Sequence, residues 1–285
     1  MKYLITGITG SLGTAVSRSL LDSGNEVIGI SRDECKQARI PRHSKLTLYL
    51  CDIRDQDRFV EASRGVDLIY HFAALKHVDI LEDNPEEAIE TNVAGTKNVL
   101  HAQRVNKVPR VVLSSTDKAA YPINTYGMSK GLAERLVLRN PSNIVCRYGN
   151  VLASRGSVVE KFVRTLRDAN TVELTDANMS RFWITIKGAA EFVIWSSRDT
   201  KGGLKIPQMK AASVSMVAEV IAKIMKIPSY KVVDVGIRKG EKIAECLRTS
   251  FEGQEAFSNS VTQYTEEELT NLLLPIVGTL CQTIQ

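Results

Sequence analysis

The feature that most constrains this chain lies at its start. A short apolar run, Tyr3 to Thr6, passes directly into Gly7-Ile8-Thr9-Gly10-Ser11-Leu12-Gly13. Leu12, Val16, Leu20 and Leu21 then recur at helical spacing until Asp22-Ser23-Gly24-Asn25 breaks the pattern, and Glu26 to Ile30 reads as a second strand. Strand, glycine turn, helix and strand in that order form the βαβ unit of a dinucleotide site. Glycine is needed where the turn is tight, where backbone nears a pyrophosphate and where helix packs on strand, and the helix N-terminus then holds the phosphates. A glycine triplet alone fits any tight turn; its place between a strand and a helix favours the nucleotide.

The end of the second strand bears on which nucleotide. NAD-binding folds of this kind usually carry an acid there for the ribose hydroxyls. This chain has Ser31-Arg32 with Lys36 one turn on, and a hydroxyl with two cations suits the 2′-phosphate of NADP. Asp33 and Glu34 stand close by, so a charged, solvated loop is the alternative. Further along, Leu46 to Leu50 leads to Cys51-Asp52-Ile53, and Val66 to Tyr70 leads to His71-Phe72-Ala73-Ala74. Small side chains after a strand admit a flat ligand, which makes Ala73 and Ala74 candidates to border it. His71 lacks an acid at a suggestive spacing and reads as a structural histidine.

A long helix is expected from Asn84-Pro85 through Thr91, Asn92 and Asn98 to about Val105, then a strand at Val111 to Leu113, a helix from Thr125 to about Leu138 and a strand from Ile144 to Arg147. Six βα repeats of this kind predict an α/β fold, a Rossmann-like doubly wound parallel sheet in residues 1–148. A later helix near 187–198 is expected to pack back on it. Residues 149–285 are expected to form mainly a smaller C-terminal α/β substrate-binding domain.

Chemistry gathers between Val111 and Lys130. Ser115, Thr116, Asp117 and Lys118 follow the strand, so a hydroxyl, a carboxylate and an ammonium meet at its end. Tyr126 and Lys130 stand four positions apart on one helix face. A nearby lysine charge favours the phenolate, which a proton-accepting tyrosine needs. Beyond Tyr148, the arginines Arg155, Arg181 and Arg238 are expected on loops, and together their forked donors suit a diphosphate. Singly, each is a surface or ion-pair arginine.

Composition narrows the class. Of 285 residues, 44% are hydrophobic and 24% charged, with a net charge of +5, which describes an ordinary globular chain without a nucleic-acid surface. The five cysteines are scattered with no Cys-x-x-Cys, which argues against a disulfide framework and a metal site. No apolar run nears membrane-spanning length and the first strand starts almost at Met1, so a cytoplasmic protein without leader or membrane partner is expected.

With these residues in view, the sequence resembles the extended short-chain dehydrogenase/reductases, and within them the inverting UDP-N-acetylglucosamine 4,6-dehydratases of flagellin- and capsule-sugar biosynthesis. The segments that carry the resemblance run in order: Thr6 to Gly13, Ser31 to Gln37, Cys51 to Asp55, His71 to His77, Asn84 to Val99, Ser115 to Ala119, Asn124 to Lys130, Arg147 to Val159, Ser180 to Thr185 and Gly236 to Lys242. The resemblance implies an NADP site made by Gly7, Thr9, Gly10, Ser11, Leu12, Gly13, Ser31, Arg32, Lys36, Ala73, Ala74, Lys76, Asn92, Tyr126 and Lys130, with Asp52 and Ile53 at the adenine. It implies a UDP-sugar site made by Lys76, Asn150, Arg155, Ser157, Arg181, Arg238 and Glu241. It also implies a hydro-lyase, usually a homo-oligomer (dimer or hexamer), with no metal. Asp117-Lys118 is similar to the inverting class, since retaining dehydratases carry Asp-Glu there and simple 4-epimerases lack an acid–base pair. Thr116, Asp117, Lys118, Tyr126 and Lys130 are then the catalytic set, with Lys118 as neutral base at C5 and Asp117 as protonated acid at the C6 hydroxyl, or the two sharing one proton. A UDP-sugar 4-epimerase, a non-inverting dehydratase and a silent NADP-binding interaction protein are the alternatives. The chain departs from the family pattern at Ile8, Tyr121, Lys239 and Ala244, where glycine, asparagine, proline and histidine are usual.

Overall fold

The computed structural model describes residues 1–283. Strands and helices alternate from the start: β1 (Lys2–Thr6), α1 (Ser11–Asp22), β2 (Glu26–Ser31), α2 (Glu34–Ala38), β3 (Leu46–Leu50), α3 (Gln56–Ala62) and β4 (Leu68–His71). Next come α4 (Val78–Asp83), α5 (Pro85–Ala88), a π-helical stretch at Ile89–Ala94 and α6 (Gly95–Val105). Then follow β5 (Val111–Thr116), a 3₁₀ turn at Asp117–Ala119, α7 (Thr125–Leu138) and β6 (Ile144–Tyr148). The remainder holds β7 (Asn150–Val151), α8 (Val158–Ala169), β8 (Thr171–Leu174), β9 (Ser180–Ile184), α9 (Ile186–Ser197), β10 (Gly203–Lys205), β11 (Ala211–Ser213) and α10 (Val214–Ile224). It closes with β12 (Lys231–Asp234), β13 (Cys246–Arg248), β14 (Ala256–Phe257) and α11 (Glu266–Thr283).

The main sheet has seven strands in the order β10-β6-β5-β4-β1-β2-β3, and every pairing in it is parallel. Strand order reverses between β1 and β4, so a crevice opens there at the carboxyl ends of the strands. Residues along each strand alternate between faces. Leu4, Ile28, Ile30, Ile69 and Val111 pack with Phe59, Val99 and Ala102 of α3 and α6. Ile5, Val27, Tyr70, Val112, Ile144 and Cys146 pack on the other face with Val16 and Leu20 of α1 and with Ala189, Val193 and Ile194 of α9.

Two differences from the sequence expectation have physical causes. The seventh strand, β10, pairs Gly203–Lys205 with Ile144–Cys146, and three residues are too few to show a period. The long helix after Pro85 contains the π-helical stretch, whose wider turn brings Asn92 inward. A second core lies in the C-terminal part, where Phe162, Leu166, Trp183, Val217, Val220 and Ile221 meet Leu269, Leu273 and Val277 of α11. Sequence periodicity gave no reading of that last helix. Among the described residues no helix is long and apolar enough to cross a membrane, and no acidic, histidine or cysteine cluster could hold a metal.

Candidate active site

The crevice at the strand ends widens into a cleft of about 690 Å³. One wall is the glycine turn. Gly7 has φ +69°, and a Cβ there would come within 2.9 Å of the Ala73 nitrogen, so the turn can lie against the β4 loop only as glycine. Gly10 caps α1 and no side chain takes its first amides, which leaves a helix N-terminus aimed into the cleft. Thr6 Oγ1 accepts from the amides of Phe72 and Ala73, at 3.0 Å each, and fixes that loop. His71 is fully enclosed between Thr6 and Thr96, at 2.8 and 3.0 Å, and burial pulls it down to about 3. It is a neutral structural group.

Opposite stands the end of β5. Asn124 caps α7 by accepting from the Gly127 amide at 2.7 Å. A Cβ on Gly127 would fall 2.2 Å from the Lys118 carbonyl, so the first turn of α7 rests directly on the 3₁₀ turn that carries Asp117 and Lys118. This places Tyr126 near Thr116, whose hydroxyl favours ionisation of the phenol. Thr116 Oγ1 also lies 3.0 Å from Asp117 Oδ1. Lys118 Nζ sits 3.1 Å from that same Oδ1, 3.3 Å from Asn150 Oδ1 and 3.1 Å from Glu245 Oε1.

The charges in this knot differ from the sequence expectation. Burial pushes Tyr126 up to about 12, and the opposing charge comes from Lys118, with the Thr116 hydroxyl next. Lys130 is itself pulled down to about 8 by burial. Burial likewise raises Asp117 above the usual carboxylate range, and the charge of Glu245 adds to this. Lys118 is not neutral: burial disfavours its charge, but Asp117 and Glu245 outweigh that and hold its proton more tightly than usual. Asp117 beside it contributes most, and Glu245, 127 residues further along the chain and itself 2% exposed, adds to this. Glu245 was missed because an acid before a short apolar stretch carries no local signal.

The glycine turn (Gly7, Thr9, Gly10, Ser11, Leu12, Gly13), Lys36, Ala74, Lys76, Thr116, Lys118, Tyr126, Lys130, Asn150, Arg155, Ser157, Arg238 and Glu241 all border this one cleft. The halves touch: Lys76 Nζ donates to the Arg155 carbonyl at 2.7 Å, and the Arg155 amide donates to Ser11 Oγ at 3.2 Å. The Gly240 carbonyl accepts from Asn124 at 2.7 Å, which ties the Arg238–Glu241 turn to the cap of α7. Ser115 and Tyr148, which lie in the motif segments but were given no site role, border the cleft too.

Several sequence candidates lie elsewhere. Arg181 is on β9 rather than a loop, is buried, and donates to the carbonyls of Ser180 and Ile243, so it does not border the cleft. Asn92 is spent on the backbone of Leu75, at 2.8 and 3.0 Å, and on Ser129. Ile53 is buried beneath Gly95, and Asp52 is paired with Arg54 and Arg32. Ser31 Oγ accepts from Gln37 and the Ala73 amide is spent on Thr6; Lys36 borders the cleft but is paired with Asp33 at 2.6 Å. Asp117 sits just behind the wall, with its Oδ2 free of hydrogen bonds and within 3.2 Å of a Cβ placed on Gly149. Tyr121 stands clear of the cleft. Its φ of +46° is a conformation that asparagine tolerates better than tyrosine. Hydrogen bonds to Ser250 and Glu255 and a stack on Phe257 hold it there.

Comparison with known proteins follows this geometry. The sequence profile of the polysaccharide biosynthesis protein family matches residues 3–266. A UDP-glucose 4-epimerase of Rickettsia typhi is 39% identical over 264 residues, 87% of this chain and 77% of its own length. An inverting UDP-N-acetylglucosamine 4,6-dehydratase of Campylobacter jejuni is 37% identical over 284 residues, 91% of this chain and 83% of its own. The X-ray structure of Pen from Bacillus thuringiensis superposes with a TM-score of 0.91 at 30% identity, covering 96% of this chain and 97% of that one.

Proposed function

We propose, since this chain belongs to the polysaccharide biosynthesis protein family of extended short-chain dehydrogenase/reductases, that it is an NADP-dependent UDP-N-acetylglucosamine 4,6-dehydratase that inverts C5. The product is a UDP-2-acetamido-2,6-dideoxy-L-arabino-hexos-4-ulose. The observation that carries this reading is the Asp117–Lys118 pair beside Tyr126. A sugar oxidised at C4 and reduced again needs only the tyrosine; an acid and a base next to it serve elimination across C5 and C6.

The glycine turn fits a dinucleotide, because its side-chain-free cradle and uncapped helix end suit a pyrophosphate. When bound, the dinucleotide supplies reversible hydride acceptance at C4 and delivery to C6. Arg32 and Lys36, half-exposed, are the cations for a 2′-phosphate, once released from Asp52 and Asp33. Arg155, Arg238 and Lys76 take the diphosphate, and Glu241 the uridine ribose.

Tyr126 takes the proton of the C4 hydroxyl, and Lys118 and Thr116 favour its ionisation. The C4 ketone then acidifies the C5 proton, which passes to Lys118 once that ammonium has given up a proton of its own to a neighbouring carboxylate. Asp117, whose carboxyl burial pushes above the usual range, protonates the C6 hydroxyl so that it leaves as water. The proton balance closes, because the one taken from the C4 hydroxyl replaces the one lost by Asp117. A solvent proton delivered to C5 from the opposite face inverts that centre, and Lys118 returns the proton it took to solvent.

A UDP-sugar 4-epimerase is the second reading, supported by the name of the Rickettsia relative. Proton NMR of the product formed from UDP-N-acetylglucosamine in deuterated water separates them. A C6 methyl signal with deuterium at C5 is expected. An intact C6 methylene with inverted C4 would establish the epimerase instead.

A further inference from the structure

Glu245 precedes β13, and two observations set it apart from an ordinary ion-pair partner. Its Oε1 lies 3.1 Å from Lys118 Nζ, at the same distance as Asp117 on the other side. Its Oε2 is buried with no hydrogen bond among the described residues, and the Lys242 ammonium lies 3.6 Å away. A second buried carboxylate with a spare oxygen is costly unless it has a use.

Resting on the dehydratase reading, we propose that Glu245 is a positioning residue that accepts the proton of Lys118 when substrate fills the cleft, so that Lys118 offers a lone pair to C5 while Asp117 keeps its proton.

The arrangement of charges supports this. Lys118, Lys242 and Arg181 all face Glu245, so Asp117, with an unpaired Oδ2 and a carboxyl pushed up by burial, is the carboxylate that takes a proton. The free protein then holds protonated Asp117, charged Lys118 and ionised Glu245. In the proposed step an N–H bond of Lys118 breaks and an O–H bond forms on Glu245 Oε1, across 3.1 Å. All three groups become neutral, which is the distribution favoured when a ligand displaces water from the wall. The groups facing Glu245 set the condition for transfer. Lys118, Arg181 and Lys242 together hold it below its usual range despite burial, so it stays ionised while the cleft is wet. Ser258 clamps its backbone, donating to the carbonyl at 2.9 Å and accepting from the amide at 3.0 Å.

The test is Glu245→Gln, with Glu245→Asp beside it, read by C5 deuterium incorporation, by reduced-cofactor absorbance for C4 oxidation, and across pH. In Glu245→Gln, C4 oxidation is expected to persist while C5 exchange falls at least about a hundredfold at neutral pH, the scale of a lost general base. The remaining exchange should climb about tenfold per pH unit, because bulk hydroxide must then strip Lys118. Glu245→Asp should recover C5 exchange in part. Equal C5 exchange and the same pH profile in Glu245→Gln and the native chain overturn the proposal. If the Gln variant does not fold, the Asp variant decides: selective slowing at C5 supports the role, and parallel loss at C4, or no loss, overturns it. A native chain that leaves C6 intact sinks the dehydratase reading itself, and that result needs no variant.

Discussion

Tyr126 is a weak acid in this fold: burial pushes it up to about 12 and only partners draw it back. Tyr126→Phe is expected to lower kcat by about a thousandfold without lowering the thermal midpoint, since it removes a proton acceptor and one hydroxyl. Lys130 shows the cost of holding a reactive lysine inside. Burial pulls it from 10.5 to about 8, so between those values the unfolded chain binds more protons and stability rises with pH. Below pH 8 the full penalty applies. Lys130→Met is therefore expected to stabilise the fold by about 1–3 kcal/mol at pH 7 and by much less near pH 10.5, measured by urea denaturation, while activity is lost. His71 acts at the acid end. Its folded value of about 3 lies below the unfolded 6.5, so stability falls as pH drops through that interval. The tyrosine, the lysine and the acid–base pair were all legible as motif residues. Their protonation was not, because it depends on Glu245 and on burial.

At the scale of elements, α7 is the piece that everything positions. Its cap, Asn124, accepts from Gly127 and donates to the Gly240 carbonyl. Asn124→Ala is expected to cost about 1 kcal/mol of stability as a lost cap. It should also raise KM for the UDP-sugar, because the Arg238–Glu241 turn loses its tether; a kinetic titration reads this. Arg147 of β6 anchors the same helix from behind. It pairs with Glu134 at 2.6 Å and with Glu252 at 2.7 Å, and donates to the Leu247 carbonyl. Arg147→Ala leaves the buried Glu134 uncompensated, so a loss of about 3–5 kcal/mol is expected in urea denaturation. Helical periodicity marks α7, but its tethers to the C-terminal part are far off in sequence: Gly240 is 116 residues from Asn124 and Glu252 is 105 from Arg147.

Across the whole molecule, the two halves are interleaved. The face of the main sheet formed by Ile5, Tyr70, Val112 and Ile144 is covered partly by α9, and β10 completes its edge. Residues 1–148 alone would leave that face wet. Such a fragment is expected to bind a hydrophobic dye and to lack the sharp thermal transition of the full chain. By itself, the sequence determined the doubly wound parallel sheet, the glycine turn between β1 and α1, and the placement of Tyr126 and Lys130 four positions apart on α7. Each is written in contiguous residues whose period or spacing reflects local geometry. Only the tertiary structure decided that β10 joins the sheet, that Arg181 turns away from the cleft, and that Glu245 faces Lys118. Those outcomes depend on burial and on contacts between distant segments, and neither has a period in the chain.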